Sequence, residues 1–292
     1  MQTPVAIADV TPCQLKRYAA LVYEKIGVTI PPQKSTLLSN RLRRRLRATA
    51  IGSYDEYYAK LVSSPLTDPE WQAFLQEITT HETYLYRDEA HWRWFGEEFL
   101  RKAGEEAARG TRPRSLRVWS AACSTGDESA TIACCIAESI PDAAAWKIDI
   151  LGTDIGADSV TQATEAVFGE RSMRNVSPAR RNRFFDPLTE GRYRLKPELR
   201  RWQRFRVHNL LRPLGERPFD VIFLKNVLIY FDKPSKRRVL DAMRGALRQG
   251  SCLVTGAAEG VADLLGEFES LQAWLHVFGR TGMRRTQGPI HD

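Results

Sequence analysis

The sequence predicts an α/β fold: a doubly wound, mostly parallel sheet, preceded by a helical domain and carrying a small antiparallel insertion. Three observations point there. Residues 116–128, LRVWSAACSTGDE, read as an apolar strand entering a turn of small residues, with a helix running on to about residue 139. Beyond that corner, strand-like and helix-like runs alternate, as they do in a parallel sheet. The first 88 residues, by contrast, show helical spacing throughout.

The bulk numbers bound the answer. The 292 residues suffice for one large or two modest domains with real cores. Hydrophobic residues make up 43% and charged residues 27%, a globular composition. No apolar run approaches the ~20 residues that span a bilayer. The N-terminal MQTPVAIADVTP lacks the basic start and apolar core of a signal peptide. A cytoplasmic protein without membrane insertion is expected. Cys13, Cys123, Cys134, Cys135 and Cys252 are odd in number and form no C-x-x-C pair, which suits reduced thiols and no metal site. The net charge of +8 favours an acidic partner: nucleic acid, anionic lipid or an acidic protein surface.

Taken in order, residues 13–26 have helical spacing and stop at Gly27. After Pro31-Pro32 a second helix is expected over 34–50. Leu37, Leu38, Leu42 and Leu46 fall on one of its sides, and Arg41, Arg43, Arg44, Arg45 and Arg47 occupy much of the rest. Such a charge run is usually a solvated face. Like charges one turn apart destabilise a helix, however, and no acid is interleaved, so a binding face is expected here. Two more helices are expected at 53–61 and 68–78, the latter opened by Thr67-Asp68-Pro69. At Thr79 the text changes to TTHETYLYRDEAHW, with hydroxyls, a histidine and an arginine among aromatics. Strands are then expected at 117–120, 149–153, 220–224 and 252–255, and helices at 129–139, 157–167 and 235–247. A hairpin of 276–279 with 283–286 would close the sheet. A basic, turn-rich piece, 168–208, has alternating segments at 192–195 and 201–208 that suggest a small antiparallel unit.

The corner at 116–128 lies where ligands bind in a doubly wound sheet, at the carboxyl end of a central strand. Small residues there let the backbone approach a ligand. Dinucleotide folds use G-x-G-x-x-G for a pyrophosphate, but this turn has one glycine, Gly126, followed by Asp127 and Glu128. Acids at a helix start repel phosphates. The corner instead suits a ligand with hydroxyls and positive charge, such as S-adenosylmethionine, although any α/β domain with a polar turn satisfies the same pattern. Asp154, at the end of the second strand, stands where an acid accepts from ribose hydroxyls. Asn209 and Leu210 offer an amide and an apolar face for adenine.

At TTHETYLYRD, WSAACSTGDES, GTDI and FDVIFLKNVLIYFDK the chain resembles the CheR family, the chemotaxis receptor methyltransferases. The likeness runs from about Leu15 to Thr286, with four motifs in the right order. NRLRRRLRA and EWQAF resemble the family's N-terminal domain. The resemblance implies a Rossmann-like S-adenosylmethionine-dependent methyltransferase domain over 89–292, with an antiparallel β subdomain inserted at 168–208. It implies a helical, basic, substrate-docking domain over 1–88. By position, the cofactor site would be His81, Thr83, Arg87, Glu128, Asp154, Asn209, Leu210, Lys225 and Asn226. Arg87 and Tyr230 would be the catalytic pair beside the sulfonium methyl, and Arg41 and Arg47 would meet the receptor. The implied activity is methyl esterification of receptor glutamates, with S-adenosylhomocysteine as product. The implied partner is the acidic methylation helix of a chemoreceptor, met by a monomer that binds no nucleic acid. The family usually has asparagine at His81, arginine at Lys225, and G-H-S-E where this chain reads Gly256-Ala257-Ala258-Glu259. Two other readings stay open: a cofactor-binding signalling module without catalysis, and a nucleic-acid methyltransferase using the arginine helix. Against the latter, LKNVLIYF stands where an N-P-P-[YFW] loop would follow the fourth strand.

Overall fold

The structure is a computed structural model that describes residues 9–79 and 82–279. His81 and the strand expected at 283–286 lie outside the described residues.

The helical domain begins with a capping box. Thr11 accepts from the Gln14 amide through its hydroxyl and donates its own N–H to the Gln14 side chain, opening α1 (Pro12–Ile26). Gly27 ends it in the left-handed region at φ 73°. α2 (Ser35–Thr49) follows a turn of 3-10 helix; Ser53 caps α3 (Tyr54–Ser63) and Asp68 caps α4 (Pro69–Ile78). Their apolar stripes meet in one core containing Tyr18, Val22, Leu42, Leu46, Tyr57, Leu61, Trp71 and Phe74. On α2 the buried stripe is Leu38, Leu42 and Leu46, a strict four-residue spacing that leaves Leu37 exposed.

The arginine run of α2 is not one open binding face. Arg43 pairs with Asp9 at 2.7 Å, Arg44 with Glu77 at 2.6 Å, and Arg45 with Glu70 at 2.7 Å. Arg45 is largely buried and shares Glu70 with the Tyr57 hydroxyl. The acids missing from α2 come from α4 and from Asp9 ahead of α1, which local spacing does not display. Arg47 is exposed and makes no ion pair among the described residues.

The second body runs α5 (Glu89–Arg93), a π-helical segment Trp94–Leu100, α6 (Arg101–Ala108), β1 (Ser115–Ala121), α7 (Asp127–Ser139), β2 (Lys147–Asp154) and α8 (Ala157–Glu165). It continues through β3 (Val167–Phe168), α9 (Glu170–Met173), α10 (Pro178–Phe184), β4 (Phe185–Pro187), β5 (Tyr193–Leu195), α11 (Pro197–Arg200) and β6 (Gln203–Val207). It ends with β7 (Phe219–Leu224), α12 (Lys233–Arg244), β8 (Leu247–Thr255), β9 (Phe268–Gln272) and β10 (Leu275–Phe278). Seven strands form one sheet in the order β6-β2-β1-β7-β8-β10-β9. β6 through β8 are parallel, and β10 is antiparallel to both its neighbours. Every residue of β7 is buried, as a parallel strand covered on both faces requires. β3, β5 and β4 make a separate antiparallel sheet.

Four expectations need correction. The small antiparallel unit does not extend to residue 208: β6 leaves it and pairs in parallel with β2, Gly152 opposite Phe205. Its alternating pattern is that of a half-exposed edge strand, which fits either kind of sheet. The closing hairpin is formed by β9 and β10, so the partner of 276–279 precedes it in the chain. The helical body ends near Thr79 and not at 88. Leu85 and Tyr86 belong to the core of the sheet body, with the Leu85 amide on the Ser172 carbonyl at 3.1 Å and the Tyr86 amide on the Thr131 hydroxyl at 3.1 Å. Gly126 is small for helix packing: at φ 90°, a Cβ there would lie 2.9 Å from the Ala163 Cα of α8.

Toward the amino ends of the strands, Asp149 accepts from Arg204 at 2.7 Å and from Arg117 at 2.9 Å, and both arginines also reach Glu216. Burial pushes the Asp149 carboxyl up, but the hydrogen bonds from Arg204 and Arg117 outweigh it and hold the group below the ordinary carboxylate range. A depressed folded-state pKa contributes stability above the unfolded value of about 3.9, and that contribution disappears as pH falls through the lower folded value. Asp149→Asn should therefore lower the denaturation midpoint at pH 7. The gap from wild type should narrow in urea titrations taken below about pH 4.

Candidate cofactor and active site

The carboxyl ends of β1, β2 and β7 open into one cavity, and the helical domain supplies its opposite wall. Asp154, the last residue of β2 and nearly buried, organises the floor. Its Oδ2 accepts from the Ser124 amide at 2.9 Å and its Oδ1 from the Gly156 amide at 3.0 Å. Each oxygen keeps a lone pair free of these bonds. The Ser124 hydroxyl beside it is buried without a partner. Ala122 and Ser124 both have positive φ, 64° and 49°, so the turn after β1 is held in a conformation that L-residues disfavour.

The inner end is built round a buried ammonium. Lys225 follows β7, with its side chain only 3% exposed. Its Nζ lies 3.2 Å from Asp88 Oδ2, 3.8 Å from Glu128 Oε2 and 3.2 Å from the Arg87 carbonyl, and 4.8 Å from the centre of the Trp92 ring. Glu128, near the start of α7, also accepts from Ser120 at 2.7 Å. Burial raises the Glu128 pKa, and Lys225 opposes that rise. His91 nearby is held neutral: burial first, then Lys225, lower its pKa to about 4. Two carboxylates thus face one ammonium, which favours a ligand bringing positive charge of its own.

The loop after Lys225 is fixed by Glu259, which is 1% exposed. Its carboxylate accepts from the Asn226 amide and, at 3.0 Å, from the Ile229 amide. Burial pushes this carboxyl up, and the backbone amides of 226–229 oppose it. The acid of Gly256-Ala257-Ala258-Glu259 therefore clamps the segment bearing Asn226 and Tyr230. Asn226 in this segment has a positive φ of 58°.

The structure brings Thr83, Arg87, Glu128, Asp154, Asn209, Leu210, Lys225, Asn226, Tyr230 and Arg41 to the cavity lining. Arg47 does not line it, and His81 falls outside the described residues. Asn209 also ties the end of α1 to the sheet body: Nδ2 donates to the Lys25 carbonyl at 2.8 Å and Oδ1 accepts from the Leu211 amide at 3.0 Å, which leaves one N–H and one lone pair of the amide outside these bonds. Arg41 donates to the Ile78 carbonyl at 2.5 Å, at the end of α4, while its Nε has no partner.

Sequence reasoning passed over Asp88, Trp92, His208, Lys34 and Tyr84. Asp88 and Trp92 sit in the aromatic-rich 79–92 text, where their signal was visible. His208 was legible only as the neighbour of Asn209; its ring stands edge-on to Trp119 and its Nε2 is buried without a partner. Lys34 reaches the site across the domain boundary, 5.5 Å from the centre of the Tyr230 ring. Among the described residues no cluster of His, Cys, Asp and Glu is arranged to hold a metal.

The donor set fits S-adenosylmethionine. Free carboxylate lone pairs at Asp154 suit vicinal hydroxyls, the Lys225 group suits an amino acid, and the acids exclude a phosphate. A mostly parallel sheet of this topology with such a cavity fits an S-adenosylmethionine-dependent methyltransferase. The family models agree: residues 81–276 match the CheR methyltransferase S-adenosylmethionine-binding domain, and residues 14–79 match the CheR methyltransferase all-alpha domain. The chain belongs to the CheR methyltransferase family. It is 31% identical over 274 residues to a chemotaxis protein methyltransferase of Salmonella typhimurium, covering 92% of this chain and 90% of that one. It is 30% identical over 268 residues to a probable chemotaxis protein methyltransferase of Rhizobium etli, covering 90% and 95%. It is also 32% identical over 257 residues to a probable biofilm formation methyltransferase of Pseudomonas aeruginosa, spanning 86% of this chain and 57% of that longer one.

Lys225→Met should remove the charge that opposes Glu128's desolvation. The Glu128 carboxyl is then expected to titrate at higher pH than in wild type, as read by carbon-13 NMR with glutamate-labelled protein. An unchanged midpoint would mean that Lys225 serves Asp88 alone.

Proposed function

We propose that this methyltransferase converts glutamate side chains of chemoreceptors to methyl esters in chemotaxis-type adaptation, acting as a monomer in the cytoplasm. The observation that carries this reading is the composition of the cavity wall. Lys34 and Arg41 of the helical domain face the same space as Asp154, Glu128 and Lys225. A methyl-donor pocket is thus closed by a domain that offers cations to an acidic substrate. The relatives named as chemotaxis methyltransferases support the receptor as substrate. No helix among the described residues is long and apolar enough to cross a membrane.

The chemistry asks little of the side chains. A glutamate with pKa about 4.3 is ionised at neutral pH and needs no general base. Bound S-adenosylmethionine supplies a sulfonium methyl; the glutamate oxygen bonds to that carbon as the carbon–sulfur pair returns to sulfur, and no proton moves. The protein aligns the atoms and strips water from the charged partners. Asp154 accepts from the ribose hydroxyls, and Leu210 packs on the base. Glu128 and Lys225 take the ammonium and carboxylate of the methionyl part. Thr83 and Asn226 line the same part, with His81 expected beside them from its motif. Arg87 and Tyr230 flank the methyl and the incoming carboxylate, Tyr230 with a ring face toward a cation. Asn209 contributes by holding α1 against the site. Arg41 and Arg47 meet the receptor helix. A phosphate-binding arginine helix loses support, because Arg43, Arg44 and Arg45 are spent on ion pairs within the domain.

Three experiments test this. Labelled S-adenosylmethionine incubated with receptor membranes should leave base-labile label on the receptor; label on RNA instead, or binding without transfer, would reject the ester reading. Asp154→Ala should weaken S-adenosylhomocysteine by about 1.5–3 kcal/mol in calorimetric titration, the value of hydrogen bonds to a charged group. Arg41→Ala with Arg47→Ala should leave that affinity alone while lowering receptor methylation and flattening its salt dependence.

A further inference from the structure

We infer that Arg174 is a specificity residue. With Arg87 it forms a two-cation clamp on Tyr84 that takes a second carboxylate of the substrate, one helical turn from the glutamate being methylated. This deepens the function proposed above and rests on it.

Tyr84 lines the cavity. The Arg174 guanidinium lies 3.4 Å from its ring centre and that of Arg87 lies 5.7 Å from it. Many cations on this body pair with a nearby acid. Arg171, one turn before Arg174, pairs with Glu82 at 2.9 Å. Arg87 and Arg174 make no ion pair with a carboxylate of the described residues, and they share one ring that lines the cavity. The Arg87 head donates only to a carbonyl, that of Glu82, at 3.0 Å. Two unpaired guanidiniums beside one ring repel each other, and exposed arginines ordinarily relax apart. Here stacking on the aromatic face holds Arg174 in place. An anion bound near both relieves the repulsion.

The clamp is also pre-positioned. The segment bearing Tyr84 and Arg87 is fixed to α9 by the Leu85 amide on the Ser172 carbonyl, and to α7 by the Tyr86 amide on Thr131. A stacked guanidinium has already lost much of its rotamer freedom, so less is lost on binding. Its planar fork can accept a carboxylate through two parallel bonds. On a substrate helix, side chains three or four residues apart stand about 5–6 Å from each other at Cβ. A target carboxylate beside Arg87 thus places an acid one turn away within reach of Arg174.

The test uses two helical receptor segments. Each carries one target glutamate, and the position four residues away is glutamate in one and glutamine in the other. Initial methylation rates are measured for wild type, Arg174→Ala and Arg174→Lys, with S-adenosylhomocysteine affinity reporting an intact cofactor site. Wild type should show a KM about tenfold lower for the glutamate segment, the value of one charge-assisted hydrogen bond. Arg174→Ala should lose that preference by raising KM for the glutamate segment alone, with little change in kcat. Arg174→Lys should restore it in part, keeping the charge but not the fork. A wild type indifferent to the neighbour would overturn the inference. So would an Arg174→Ala enzyme whose KM rises equally for both segments, because Arg174 would then only brace Tyr84. If wild type esterifies neither segment, the proposed function itself fails and the inference falls with it. That outcome is distinct, since no KM is then measurable.

Discussion

The site depends on one carboxylate. Asp154 receives the Ser124 amide on one oxygen and the Gly156 amide on the other, so the turn after β1 and the turn after β2 are tied to a single side chain. Its carbonyl takes the His208 amide at 2.8 Å, which ties in the end of β6 as well. Three parallel strands therefore end in register around one acid. The positive φ values of Ala122 and Ser124 are sustained by these bonds, since an L-residue held there costs about 1–3 kcal/mol. A ligand arriving at this edge meets a floor already organised, with lone pairs directed at it.

A second carboxylate does the same for the opposite wall. Glu259 is buried among the amides of residues 226–229 and holds the turn that carries Asn226 and Tyr230. That turn is also where the two bodies join. The Thr29 amide donates to the Tyr230 carbonyl at 2.9 Å, Val28 bridges to Phe231, and the Tyr23 hydroxyl donates to Asp232 at 2.9 Å. On the far side Gln72 and Gln76 of α4 reach the start of α8. The helical domain is thus a wall of the cavity, and its position is coupled to the loop that carries Asn226 and Tyr230.

The net charge of +8 gains its meaning from how cations are partnered. Arg43, Arg44 and Arg45 are neutralised across the helical core, and Arg117 and Arg204 across the amino edge of the sheet. Arg41, Arg87 and Arg174 lack such partners among the described residues and stand on or beside the cavity. These cations would meet the acidic substrate proposed above. Arginine suits these places because its delocalised head stacks on rings and bonds to planar anions, neither of which lysine does as well.

The order of elements was legible in the sequence because it is a local property. Gly27, Ser53 and Asp68 mark helix ends by their own chemistry, and the apolar runs of β1, β2 and β7 declare buried parallel strands. Asp154 was legible as a candidate because its place at a strand end follows from chain order, and Glu128 because the family resemblance implied it. Pairing across the chain was not. The alternation of β6 suits an antiparallel unit or a parallel edge equally, and only β2 decided which. The arginines of α2 looked unopposed because their acids lie about 25 to 34 residues away in the chain. Asn209 gave no sign in the chain that its amide would also hold the Lys25 carbonyl of α1. Gly126 read as room for a ligand until α8 filled that space. Spacing along a chain fixes which face a residue occupies. Which partner meets that face is decided when distant segments pack together.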